Sequence, residues 1–422
     1  MEMKSESNNG RILYHKKLDK GALQVLTFIG IFLLSIAFYS KTGNRFIYYI
    51  RYLFVLYMMF LTLKSGWIIK NKMFFMIVGL MMAHTMIFGF LIVPDTLRTQ
   101  IRDNGIAMCI FWLAIILTTQ YVYKNGLEKH FLMCAQIFVS LFMNYCYITN
   151  FNGIAPIKFL PGLFGKAVRI RFTFGLSATN RAAYLAMTSL VLSMIVWRVC
   201  LGKKSIINKK WTLYEIYILI SGLISILVII STQTRGAVLA SVVFYVISRL
   251  LCSESIFYRS WRKKTKYYIL LCSVFIIVVY IYYVFIAGDN RSHFLQINFD
   301  IFKSYANQLI GLGYVPFSGF LSDIFGYGTK PMDGFYVYTI CSTGYIGALM
   351  IFLPLLMITI QYLKRIRLGQ VDLMQKHIIS LWICMLFVSA TETNLINPSG
   401  VYSYIYWVLF LGFFFNRNEL HY

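Results

Sequence analysis

Residues 214–252 read YEIYILISGLISILVIISTQTRGAVLASVVFYVISRLLC. Two apolar runs, Tyr214–Ile230 and Gly236–Cys252, flank one polar turn, Ser231-Thr232-Gln233-Thr234-Arg235. Each run approaches the roughly 20 residues that a helix needs to cross the hydrocarbon core of a bilayer. Neither carries the charged stripe that a helix on the surface of a soluble domain shows. The stretch therefore reads as two membrane-spanning helices joined by a short turn.

The same pattern recurs on both sides. Upstream lie Ala22–Tyr39, Phe46–Leu63, Met73–Val93, Asn104–Tyr123, His130–Thr149 and Ala182–Leu201; downstream lie Tyr267–Ala287, Phe335–Ile360, His377–Ala390 and Val401–Phe415. The expected fold is an all-α polytopic membrane helical bundle of twelve transmembrane helices. Residues 1–21 and 416–422 form its tails. Composition agrees: of 422 residues, 59% are apolar and only 13% charged, against about 25% charged in a soluble domain. The first apolar run follows a basic tail and has no small-residue cleavage site after it, so it reads as a retained anchor.

The formal charge is +25, from 40 Lys and Arg against 15 Asp and Glu. Basic groups set between hydrophobic spans reflect topology, which argues against a nucleic-acid partner. Alternate connections hold roughly twice as many cations as the others, which predicts that both termini lie in the cytoplasm. The eight cysteines fall mostly inside apolar runs without CxxC or Cys/His clusters, so they read as small buried hydrophobes. The sequence contains no P-loop, DxD pair, HExxH or GxSxG.

Two connections assigned to the outside are too long to be turns: 150–181 and 288–334. Loops of that length are functional or disordered. In the second, Phe294, Leu295, Phe299, Phe302, Tyr305, Leu309 and Ile310 recur at helical spacing. That predicts an amphipathic helix lying against the outer mouth.

Polar constellations gather on the same side. Arg235 offers a planar fork of donors next to a helix start, a cradle for a diphosphate or a partner for lipid headgroups. Asp289-Asn290-Arg291-Ser292-His293 precedes Gly311-Leu312-Gly313-Tyr314; His293 can titrate near neutral pH or be a plain surface histidine. Asp333, where a loop enters a span, can cap the helix or act as a base. Glu392, at the membrane boundary, needs a cavity or a cationic partner. Lys158, Lys166, Arg169 and Arg171 lead into Thr173-Phe174-Gly175-Leu176-Ser177-Ala178-Thr179-Asn180-Arg181, which suits an anionic ligand or lipid headgroups. Arg51 is expected to snorkel to the interface, and His84 to bond a neighbouring helix.

At these residues the chain resembles the O-antigen polymerase and O-antigen ligase superfamily, bacterial membrane glycosyltransferases. The likeness covers roughly residues 169–347. Ser231–Ala237 is similar to the family's Ser/Thr-Arg-Gly turn, and Thr173–Arg181 to its Thr-Phe-Asn element. Arg291 with Gly311 and Gly313 resembles its arginine, helix and Gly-x-Gly. Asp333–Gly347 resembles its His/Asp-Asn-Tyr element running into a span. Gly334 stands where Asn is common, and no histidine occupies position 333. The arginine–ten residues–glycine pattern of some polymerases fails too, since Ala182 and Phe302 lie eleven positions beyond Arg171 and Arg291. These departures favour a capsule or surface polysaccharide polymerase over a ligase, with a flippase as the rival class.

The resemblance implies transfer without metal or other cofactor from an undecaprenyl-diphosphate-linked oligosaccharide in the bacterial cytoplasmic membrane, with inversion. Arg235, Arg291, Arg171 and Arg181 would hold the diphosphate. Asp333, Glu392 or His293 would take the acceptor proton. Tyr314, Tyr336 and Tyr338 would stack on sugars. Membrane lipid, a flippase and a chain-length regulator are the implied partners.

Overall fold

The computed structural model describes residues 20–66, 71–92, 98–150, 172–201, 212–252, 302–303, 307–311, 313, 334–390, 392 and 394–415. Among them the regular structure is helical. The helices are α1 (Lys20–Thr42), α2 (Arg45–Ser65), α3 (Lys72–Met86), α4 (Arg98–Lys124), α5 (Glu128–Thr149) and α6 (Thr179–Val199). They continue with α7 (Leu213–Thr232), α8 (Arg235–Cys252), α9 (Phe335–Leu368), α10 (Leu373–Val388) and α11 (Val401–Gly412). A π-helical turn, Ile87–Leu91, extends α3. Eight of these helices are long and apolar enough to cross a membrane; α10 and α11 are shorter. The expected span Tyr267–Ala287 lies outside the described residues.

Successive helices run antiparallel, so their ends collect at two poles. One, here the first end, gathers the starts of α6, α8 and α11 with the ends of α5, α7 and α10. Contacts fix this grouping: Phe172 donates to the Ser231 carbonyl, and Asn180 to Glu392. At the second end, Lys124 reaches the Gly66 carbonyl and Asn71 the Phe414 carbonyl.

The surface between the poles is apolar. Leu63 is 76% exposed and Leu223 62%, which an aqueous surface would not favour across a whole girdle but lipid does. Inside, α11 is buried on every side. Lipid tails are as apolar as leucine, so hydrophobicity alone cannot place it there. Aromatic packing and hydrogen bonds do. Trp407 meets Trp112 edge-on at 5.0 Å and Trp382 at 6.0 Å. Its indole donates to the Leu395 carbonyl at 2.7 Å, Tyr406 pairs with Thr188 at 2.7 Å, and Tyr404 with Thr118. Truncating a buried Trp of this kind costs about 3–5 kcal/mol.

Three expectations need correction. Phe335–Ile360 is not one straight crossing, because α9 breaks at Gly344, whose φ of 66° and ψ of −171° suit glycine alone. The rings of Tyr336 and Phe352 lie 5.7 Å apart. In an unbroken helix they would be separated by about 24 Å. The first half therefore folds back against the second, and Tyr345–Leu368 is the part long enough to cross a membrane. Next, α10 begins earlier than His377, at Leu373, because Asp372 and Gln375 form a capping box there. Finally, Arg51 does not snorkel. It is 3% exposed, donates to the Pro398 carbonyl at 3.0 Å and stacks over Tyr39 at 4.9 Å.

Helix lengths give the first end its shape. At about 1.5 Å per residue, α10 and α11 span roughly 24 and 18 Å, less than a hydrocarbon core of about 30 Å. The segment between these two short helices carries Pro398. Arg51, more than a turn inside α2, reaches it.

Candidate functional site

The break in α9 frees backbone groups that an intact helix would satisfy. Carbonyls of 307–311 take up two of them: Tyr345 N–H donates to Gln308 and Ile346 N–H to Leu309, both at 3.0 Å. The Ser342 carbonyl accepts from Gly313 N–H at 2.7 Å. Such contact requires bare backbone. A Cβ on Gly311 would lie 2.5 Å from Gly344 N, and one on Gly344 2.5 Å from the Leu309 carbonyl. Gly-x-Gly thus docks the long connection onto the break. Phe302 packs beside it, edge-on to Tyr345 at 5.7 Å.

Below the break lies a cavity of about 50 Å³. Its polar lining is His84, Asn104, Thr339, Ser342 and Thr343; Phe335, Tyr338, Ile351, Ile396 and Pro398 supply apolar walls. The hydroxyls of Thr339, Ser342 and Thr343 each bond the carbonyl four residues earlier, a habit that bends helices. His84 packs on Phe88 of the π turn at 4.8 Å. Single π turns recur at functional sites.

Glu392 sits one step away, 7% exposed. The Asn180 amide donates to both its carboxylate oxygens, at 3.0 and 3.2 Å. Its backbone carbonyl accepts from Phe335 N–H at 3.2 Å. Gly334 precedes, at φ 99°, where a Cβ would lie 2.8 Å from the Ala390 carbonyl. The absence of asparagine at 334 therefore has a local cause. Arg181 is exposed and donates to Ser177 at 2.9 Å. Tyr402 feels both the Arg181 and the Glu392 charge and donates to Asn394 at 2.8 Å.

The Arg235 turn completes the series. Arg235 begins α8 and is partly exposed, while Ser231 to Thr234 are buried. Gln233 closes α7 in the left-handed region, at φ 52°. Phe174 does the same at φ 51°, followed by Gly175 at 73°. For a bulky residue that conformation is an outlier, and such outliers collect where surroundings hold them. Phe174 is held by Tyr147, stacked at 6.0 Å, and by Asn150, which donates to its carbonyl. The Cys384 thiol donates to the Ala240 carbonyl, which ties α10 to α8. Arg235 and Glu392 lie a turn or two beyond that contact, both toward the first end.

The described parts of the stretches singled out in the sequence are therefore joined edge to edge. The Arg235 turn touches 172–181 through Phe172 and Ser231, and 172–181 touches Glu392 through Asn180. Glu392 touches the start of α9 through Phe335, and α9 touches Gly-x-Gly through Ser342 and Gly313. Tyr338 lines the cavity. Tyr336 instead spends its hydroxyl on the Leu386 carbonyl at 2.7 Å. Arg171, Arg291, His293, Tyr314 and Asp333 lie outside the described residues.

Sequence reasoning named Tyr338 but missed the polar lining of the cavity. Thr339, Ser342 and Thr343 share one helix face at i, i+3 and i+4, a signal that was available. Asn104 and His84 carry no such signal, because only the tertiary fold brings them there. No family model matches the chain, and no curated protein matches it.

Proposed function

We propose that this chain is a membrane glycosyltransferase that joins undecaprenyl-diphosphate-linked oligosaccharide repeat units into a surface polysaccharide. In this reading it has twelve spans, both termini in the cytoplasm of a bacterium, and the first end facing outward. The observation that carries the reading is the contact series from the Arg235 turn to Gly311 and Gly313, which includes a buried carboxylate.

The chemistry follows from those groups. The acceptor hydroxyl oxygen attacks the anomeric carbon, and the bond from that carbon to the diphosphate breaks with its electron pair leaving on the diphosphate. Arg235, with Arg291, Arg171 and Arg181, offsets the charge that develops there. The hydroxyl proton passes to a carboxylate. Glu392 suits that role because it is buried within the contact series and Asn180 orients both its oxygens; Asp333 and His293 are the alternatives. Tyr338 gives the cavity an aromatic wall for a sugar face, and Tyr314 and Tyr336 extend that proposal.

One observation favours a second reading. A helix broken inside the bundle, with its backbone capped by a neighbouring segment, is also how transporters build substrate sites. A flippase for lipid-linked repeats would use the same cations without making a glycosidic bond. The glycans of a deletion strain complemented with Arg235→Ala or Arg291→Ala separate these. The polymerase reading expects single repeat units on the cell surface, with wild-type amounts of protein in the membrane. Repeats accumulating only on the cytoplasmic face would favour the flippase. Normal polymer from both variants would discard the site.

A further inference from the structure

At the second end, far from the Arg235 site, α6 and α7 part to leave a slot of about 330 Å³. Small-molecule sites begin at roughly that volume. Its walls are Leu190, Met194 and Trp197 on α6 and Ile218, Leu223 and Ile226 on α7, with Arg198 at its end. From Leu190 to Arg198 it runs about 12 Å along the helices. Gly222 makes the notch: a Cβ there would meet only Leu190 Cδ1, at 4.0 Å. The one hydroxyl in the wall, Ser193, already accepts from Gln136 at 3.2 Å.

Arg198 is the reason for assigning an occupant. Among the described residues no carboxylate or other acceptor bonds it. On α7, one turn before Ile218, the Glu215 carboxylate accepts from the Thr212 backbone N–H in the capping box. Arg198 acts instead alongside other cations, since both it and Lys376 bear on His377 and Cys252. A guanidinium at the mouth of an apolar slot, among like charges, suits an anion that brings an apolar tail. The slot opens onto the lipid-facing girdle, where Leu219 is 45% exposed.

We infer that this slot binds an anionic membrane phospholipid, with an acyl chain between α6 and α7 and the headgroup phosphate on Arg198. The site is distinct from the proposed diphosphate site, which lies at the other pole, and it holds whichever reading of that site is correct.

Trp197 reports on occupancy. The full chain is reconstituted in nanodiscs containing bromine-labelled acyl chains, and the Trp197 contribution is isolated by subtracting a Trp197→Phe variant. Brominated phosphatidylglycerol should quench it at about fivefold lower mole fraction than brominated phosphatidylcholine, the preference one basic residue gives near a membrane surface. Arg198→Gln should abolish the preference, Arg198→Lys should keep most of it, and Gly222→Leu should remove quenching by both lipids. Equal quenching by both lipids in the wild type, or a preference that survives Arg198→Gln, overturns the assignment. Displacement of the brominated lipid by stoichiometric undecaprenyl phosphate overturns it too, since the slot would then serve the polyprenyl carrier.

Discussion

The two ends of the bundle solve the same problem in opposite ways. Every helix end leaves backbone groups that need partners. At the second end, ordinary caps supply them. Asn71 accepts from Met73 and Phe74 at the start of α3. Thr212 with Glu215, and Asp372 with Gln375, form capping boxes on α7 and α10. Gly369 closes α9 in the left-handed region, with open space around it. At the first end, Gln233 and Phe174 adopt left-handed backbone without being glycine, α3 ends in a π turn, and α9 reverses at Gly344. A non-glycine residue held in the left-handed region, as Gln233 and Phe174 are, costs about 1–3 kcal/mol and persists only where its surroundings over-determine it. The difference teaches where selection tolerated strain. The buried carboxylate, the partly exposed arginine and the polar cavity all lie at the costly end.

The sharpest way to break this contrast is to put the same kind of change into a glycine at each end. Gly344→Ala should cost about 3 kcal/mol or more, because its Cβ would lie 2.5 Å from the Leu309 carbonyl. Gly369→Ala, at φ 70° with nothing nearby, should cost only about 1–2 kcal/mol. Thermal unfolding in detergent, followed by size-exclusion fluorescence, reads both, and equal losses would mean that the break is not a docking joint.

Next in size are Glu392→Gln and Asn180→Ala, which should lower polymer formation about 100-fold or more with little change in melting temperature. A large melting shift with unchanged turnover per folded molecule would make this pair a strut. Arg365 sharpens the comparison from the other side. It is 8% exposed, donates to the Phe413 carbonyl at 2.9 Å and covers the Phe413 ring at 4.5 Å. Arg365→Ala should cost about 2 kcal/mol of stability, with turnover per folded molecule unchanged. The smallest effect belongs to Thr212→Ala, about 1 kcal/mol from the lost cap, again without change in turnover.

Much of the helical layout was legible in sequence because a bilayer demands long apolar runs. The boundaries of α5 and α8 fall close to those expected. Gly344 was not legible as a break: with Gly347 in the same apolar run it reads as a packing position, and the reversal shows only in its backbone angles and the Tyr336–Phe352 contact. Arg51 misled for a related reason. Its distance from the helix end suggested snorkelling, while the tertiary fold places the Pro398 carbonyl within its reach. The polar stretches at the first end could be picked out one by one by residue type. Their contiguity could not, since Asn180 and Glu392 are joined only by the packing of α6 against α10.

The most direct test of the central claim uses purified protein in nanodiscs with a synthetic undecaprenyl-diphosphate oligosaccharide and no nucleotide. A ladder of products longer than one repeat should form with the wild type, and none with Arg235→Ala at equal amounts of folded protein. A wild type that binds the substrate yet extends nothing, or an Arg235→Ala variant that builds the same ladder, would contradict the account.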